Sequence, residues 1–168
     1  SVDEVLEIKK GTVRIGLDLG GGTATFAVRM MERNVTIITT SLNLDGPFNN
    51  FIALRGVVPL YLNIAQRLPF FDNTLDLVHS MHVLSNWIPT TTLEFILFDI
   101  DRVLRPGGIL WLDHFFCIEH QLKESYLPLF HKLGYNKLKW AIGPKLDRGA
   151  DLHEMYLSAI LEKPLSRS

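Results

Sequence analysis

Apolar residues come in short runs along this chain, each closed by glycine, proline or polar turn residues, and the runs alternate with segments of helical spacing. Residues 13–19 form a first run that stops at three consecutive glycines, the pattern of a buried strand. Residues 23–33 carry Ala24, Phe26, Ala27, Met30 and Met31, a spacing that predicts a helix with one apolar face. Residues 35–42 are β-branched and Thr-rich, a second strand. Asp45, Gly46 and Pro47 are turn chemistry, and residues 48–55 predict a short helix stopped by Gly56.

Further along, residues 57–62 and 75–83 predict strands, separated by a loop over 68–73. Residues 91–104 predict a helix, with Thr91 and Glu94 at capping-box spacing and Pro106-Gly107-Gly108 beyond its end. A strand over 109–116 and a helix over 119–133 follow, with Gly134 just past the helix. Residues 138–143 and 155–161 are two last strands joined by the polar loop 145–153. The alternation predicts an α/β fold: a Rossmann-like, seven-stranded, mostly parallel sheet with helices on both faces. The last two strands have no helix between them and predict a C-terminal hairpin that inserts one antiparallel strand. There is no internal repeat or linker, so residues 1–168 read as a single domain with a core over about 12–164.

Composition changes this picture in few places. With 47% hydrophobic residues the chain can fill one core and is not a disordered segment. Lys plus Arg is 17 and Asp plus Glu is 18, a net charge of -1 that argues against bulk nucleic-acid binding. The single cysteine, Cys117, rules out an intrachain disulfide and reads as a buried small side chain. No apolar run approaches the roughly 20 residues that cross a bilayer, and the acidic start has no signal-peptide shape. The expectation is a soluble intracellular domain without a membrane segment, with a targeting or membrane segment ahead of Ser1 left open. No dense His/Cys/Asp/Glu set, Walker sequence or G-x-S-x-G elbow is present, so no metal is expected.

The chemistry concentrates at Asp18-Leu19-Gly20-Gly21-Gly22-Thr23. Glycines at a strand-to-helix turn let the backbone bend sharply and let a ligand approach closely. A dinucleotide fingerprint wants G-x-G-x-x-G with an acid about 20 residues later. Here the glycines are contiguous and the acid, Asp18, precedes them, which counts against a nucleotide-dependent oxidoreductase.

The turn instead resembles motif I of class I S-adenosylmethionine-dependent methyltransferases, D-x-G-x-G-x-G, with Ala24 where that family often has glycine. Residues 66–78 resemble the family's A-x-x-L-P-F-x-D-x-S-F-D-L-V segment, and residues 102–108 its L-K-P-G-G turn. The resemblance spans residues 13–163, and among its members a group of plant methyltransferases of unassigned substrate is similar. It implies S-adenosyl-L-methionine as cofactor, held by Asp18, Gly20, Gly21, Gly22 and Thr23. It places Ser41, Leu42 and Asn43 by the ribose, Ile64 and Ala65 along the adenine, and His79 and Ser80 by the methionine part. The family's ribose-binding acid is replaced by Ser41 or Asn43, unless Asp45 reaches back. Losing a bidentate, charge-assisted bond costs about 1.5–3 kcal/mol, roughly ten- to a hundredfold in affinity. The alternative this raises is a catalytically impaired, methyltransferase-like binding or scaffold domain.

Methyl transfer is a direct displacement, so a base is needed only when the acceptor carries a proton. His82 and Asp113 are the candidate catalytic residues, with the neighbouring His114 noted beside Asp113. His79 and His82 are three apart and do not share a strand face. Trp87 reads either as a cover for the site or as a core anchor, and Asp99 and Asp101 read as solvated helix residues. The methyl acceptor, small or macromolecular, is not named by the sequence. The short lead into the first strand suggests an open cleft, or a partner subunit that completes the pocket.

Overall fold

The computed structural model describes residues 1–166, so positions 167 and 168 of the single-domain reading lie outside the described residues. The elements run α1 (Val2–Ile8), β1 (Ile15–Leu19), α2 (Thr25–Met31), β2 (Thr36–Ser41), α3 (Phe48–Leu54), β3 (Val58–Tyr61), β4 (Leu75–Met81), α4 (Thr90–Val103) and β5 (Leu104–Ile118). Then come α5 (119–132), whose middle turn Leu122–Tyr126 is a wider π-turn, β6 (Asn136–Pro144) and β7 (Glu154–Glu162).

All seven strands join one sheet in the order β3-β2-β1-β4-β5-β7-β6. The first five pair in parallel, and β7 runs antiparallel between β5 and β6. The expected hairpin is therefore present, and its returning strand is the inserted one. Strand order reverses between β1 and β4, where ligand crevices form at the carboxyl ends of an open α/β sheet.

Two apolar clusters cover the sheet. Leu17, Val78, Leu110 and Leu112 pack with Leu93, Leu97 and Ile100 of α4 and with Tyr126 and Phe130 of α5. Val5 of α1 and Ala27 and Met30 of α2 pack with Ile37, Leu77, Ile109 and Ile160. Cys117 is fully buried in the first cluster, and burial pushes its thiol up to about 11, the inert state expected of it.

Three sequence expectations change. The helix over 91–104 starts at Thr90 behind Pro89, with no side-chain cap. Thr91 falls inside the first turn there, so it does not form the expected box with Glu94. The capping box is instead at Ser1 and Glu4 of α1, a helix that was not expected. Asp99 and Asp101 are buried rather than solvated. Asp99 accepts from the Leu68 amide (2.6 Å) and from Arg102 Nε (2.7 Å), while Asp101 accepts from the Tyr135 hydroxyl (2.8 Å). Arg102 also donates to the Leu68 and Phe70 carbonyls at 2.9 and 2.7 Å. Asp99 and Arg102 thus clamp the 68–73 loop onto α4, while Asp101 ties α4 to Tyr135.

Candidate functional site

After β1 the chain turns through three left-handed residues, Gly20 (φ 66°), Gly22 (φ 53°) and Ala24 (φ 62°). Thr40 of β2 fixes the turn. Its hydroxyl accepts from the Gly20 amide (2.9 Å) and donates to the Asp18 carbonyl (3.1 Å), and its carbonyl accepts from the Gly21 amide (3.1 Å). A Cβ on Gly20 would lie 2.3 Å from Val83 Cγ2, and one on Gly21 would lie 2.3 Å from Asp18 Oδ2. A Cβ on Gly22 would meet nothing within 4 Å. Packing thus forbids side chains at the first two positions, and the third faces open space.

Beneath the turn, Asp18 is 2% exposed and its Oδ1 lies 2.7 Å from His79 Nδ1. The imidazole stacks on Phe26 (centroids 4.0 Å apart) and meets Trp111 edge-on (4.8 Å). Asp18 Oδ2 is buried without a hydrogen-bond partner, on the Gly21 side of the turn. Ser80 is also buried, its hydroxyl accepting from the Leu84 amide (3.2 Å). The side chains of His79 and Ser80 are therefore used inside the protein, and Val83 is the residue of this segment that reaches the cleft.

The cleft, about 320 Å³, opens over the carboxyl ends of β1, β2 and β3. Of the expected cofactor residues, the structure brings Gly20, Gly22, Ser41, Leu42 and Ile64 together in its walls. Leu44, Phe48 and Leu62, which sequence reasoning missed, supply much of the apolar lining. Asn43, Ala65 and Thr23 are exposed and stand outside the lining. The Thr23 carbonyl accepts from the Arg55 guanidinium, and the Ala65 amide donates to Asn63 Oδ1 (3.0 Å). Asp45 does not reach the cleft. At the position where the resemblance placed the ribose, Ser41 Oγ donates to Asn49 Oδ1 (3.2 Å), a neutral pair.

A second cleft, about 500 Å³, opens over the carboxyl ends of β4 and β5 and the start of β7. Its walls include His82, Trp87, Phe116 and Tyr156. Trp87 is 72% exposed, so it is a wall of this cleft and not a core anchor. His82 (φ 61°) follows β4 in a left-handed turn, and its ring is 5.1 Å from that of His114 (φ 53°). His114 Nδ1 in turn is 2.6 Å from Asp113 Oδ1, a charge contact without hydrogen-bond alignment. The Asp113 side chain itself lies on the α1 side, in a small hollow with Trp111 and Lys139. It touches the second cleft only through its carbonyl, which accepts from the His82 amide (3.1 Å), and through His114.

Lys145 and Arg148, from the hairpin loop, both pair with the buried Glu154. The Lys145 ammonium, joined by Arg148, holds the Glu154 carboxyl below the usual carboxylate range against the opposing effect of burial. Asp147, and then Glu154, raise Lys145 in turn. These loop residues carried no sequence motif, and only the antiparallel insertion of β7 brings them to the site.

Comparison with known proteins gives a consistent answer. A family model described as "Putative S-adenosyl-L-methionine-dependent methyltransferase" matches residues 1–125. The chain is 45% identical over 169 residues, 99% of its length, to the Arabidopsis thaliana protein named Probable methyltransferase At1g29790, and it spans 44% of that protein. Among solved structures, a methyltransferase from Methanosarcina mazei described as SAM-dependent superposes with a TM-score of 0.75 at 12% identity, covering 96% of this chain and 98% of that one. The [4+2]-cyclase SpnF superposes at 0.71 and 19% identity, covering 98% and 80%. At such identities the two structures show the fold alone. Among the described residues no helix is long and apolar enough to cross a membrane.

Proposed function

The chain belongs to this family of S-adenosyl-L-methionine-dependent methyltransferases, and on that premise we propose that the cleft over β1–β3 holds the cofactor for methyl transfer to an acceptor bound beside it. The observation that carries this reading is the glycine turn. Gly20 and Gly21 are packed against Val83 and Asp18, while Gly22 leaves its side-chain space open to the cleft.

The residues present fit the group. Leu42, Leu62 and Ile64 offer apolar walls to a purine, and Ser41, steadied by Asn49, offers a hydroxyl to a ribose. The unpartnered Asp18 oxygen places a buried acceptor behind the turn, on the side where a cationic amino group would be favoured. The cofactor supplies an electrophilic sulfonium methyl when bound, so the chain needs no nucleophile of its own. What the chain does is hold, orient and dry the site. Leu44 and Phe48 at the cleft mouth exclude water, and the Thr40 bonds keep the turn from relaxing. All seven strands share one sheet, which supports reading the described residues as a single domain.

Calorimetric titration with S-adenosylhomocysteine tests the assignment. Saturable binding is expected well below about 1 mM. Gly22→Asn keeps a residue that tolerates positive φ and fills the cleft, so affinity should fall at least about tenfold with the fold retained. Absence of binding by the unsubstituted chain at about 1 mM would overturn the reading.

A further inference from the structure

The second cleft is unused by the cofactor reading. His82 and Val83 are consecutive, one lining each cleft, so the turn after β4 is the wall the two share. Along the second cleft runs an unbroken row of rings. Trp87 and Phe116 have centroids 6.1 Å apart, Phe116 and Tyr156 6.0 Å, and Tyr156 and His82 5.7 Å.

The charged side chains of this cleft are each paired with another side chain. Lys145 pairs with Glu154 (3.0 Å) and Asp147 (2.5 Å), and Arg148 pairs with Glu154. Asn86 Nδ2 donates to Gln121 Oε1 (3.0 Å). The His82 ring nitrogens and the Tyr156 hydroxyl carry no hydrogen bond among the described residues. A polyol such as a sugar carries more hydroxyls than this cleft has uncommitted polar side chains, and each unmatched one would cost desolvation. A planar aromatic molecule with one or two hydroxyls matches both the rings and the two uncommitted polar groups.

We propose that this cleft is the methyl-acceptor site, that its acceptor is a phenol-type aromatic hydroxyl compound, and that His82 is the catalytic base. The transfer step rests on the cofactor assignment above. The acceptor O–H proton passes to the His82 imidazole. The phenolic oxygen then forms a bond to the methyl carbon as the sulfur–methyl bond breaks. The products are the aryl methyl ether and neutral S-adenosylhomocysteine, and the proton leaves His82 for solvent.

The test uses the 168-residue chain with catechol as probe and methyl glucoside as the carbohydrate control, read by calorimetric titration. This measurement needs no cofactor. Catechol should bind saturably, and Trp87→Ala, at an exposed position, should weaken its binding at least about tenfold while S-adenosylhomocysteine binding is unchanged. With methyl transfer to catechol followed directly, His82→Gln should lower kcat about a hundredfold, well beyond any change in the catechol Kd. Preference for methyl glucoside, or no catechol binding by a chain that still binds S-adenosylhomocysteine, overturns the acceptor class. An unchanged kcat in His82→Gln overturns the base. Catechol binding without S-adenosylhomocysteine binding would overturn the cofactor assignment and leave the aromatic cleft standing.

Discussion

The two clefts sit over opposite halves of one sheet edge and are built by different means. Over β1–β3 the walls are apolar side chains, but the floor is set by the main chain: left-handed glycines and Thr40 bonds, with a buried Asp18–His79 pair beneath. Over β4–β7 it is side chain: Trp87, Phe116, Tyr156 and His82 project from loops and strand ends. A ligand gripped by backbone geometry leaves little freedom to vary the sequence beneath it. A ligand gripped by projecting rings can be exchanged by changing those rings.

The largest expected effect breaks the first half. His79→Leu leaves the Asp18 carboxyl at 2% exposure with neither oxygen partnered. A buried group stripped of its partner costs about 3–5 kcal/mol, or roughly 10 °C or more in Tm for a chain of this size. Trp87→Ala should stay within about 0.5 kcal/mol. Urea unfolding of the two variants checks the contrast, and equal losses would show that both clefts are equally structural.

A smaller effect sharpens the comparison. Ser41→Asp restores a carboxylate beside Asn49 and should tighten S-adenosylhomocysteine about tenfold, about 1.4 kcal/mol, without changing catechol binding. Calorimetry reads both ligands, and an unchanged cofactor affinity would mean that the ribose lies elsewhere. The smallest effect concerns Ala24. Replacing it with glycine relieves a left-handed alanine by about 1 kcal/mol but removes a fully buried methyl worth about 0.8 kcal/mol. The two nearly cancel, so Tm should stay within about 2 °C. A large loss would show that the methyl seats α2 against the sheet.

The glycine turn, the alternation of strands and helices and the C-terminal hairpin were legible because each leaves local signs: apolar runs, turn residues and helical spacing. Part of the lining of the cleft over β1–β3 was reached through the family resemblance, which pointed to Ser41, Leu42 and Ile64. Leu44 and Phe48 were not, because an apolar residue in a loop carries no sign of which cleft it faces. Asp99 looked solvated because its partner Leu68 lies 31 residues away. His79 looked available because nothing local announces that Asp18, 61 residues earlier, holds it. Helix α1 escaped notice although the Ser1–Glu4 box and the apolar Val2, Val5 and Leu6 were there to be read.

The insertion of β7 also sets an order of assembly. The strand made last of the seven occupies an inner place in the sheet, so on the ribosome the whole length of β5 keeps one edge unpaired until residues 154–162 emerge. β1 to β4 can pair well before then. During synthesis the open flank of β5, with Phe115 and Phe116, is the place where a nascent chain would meet another strand first.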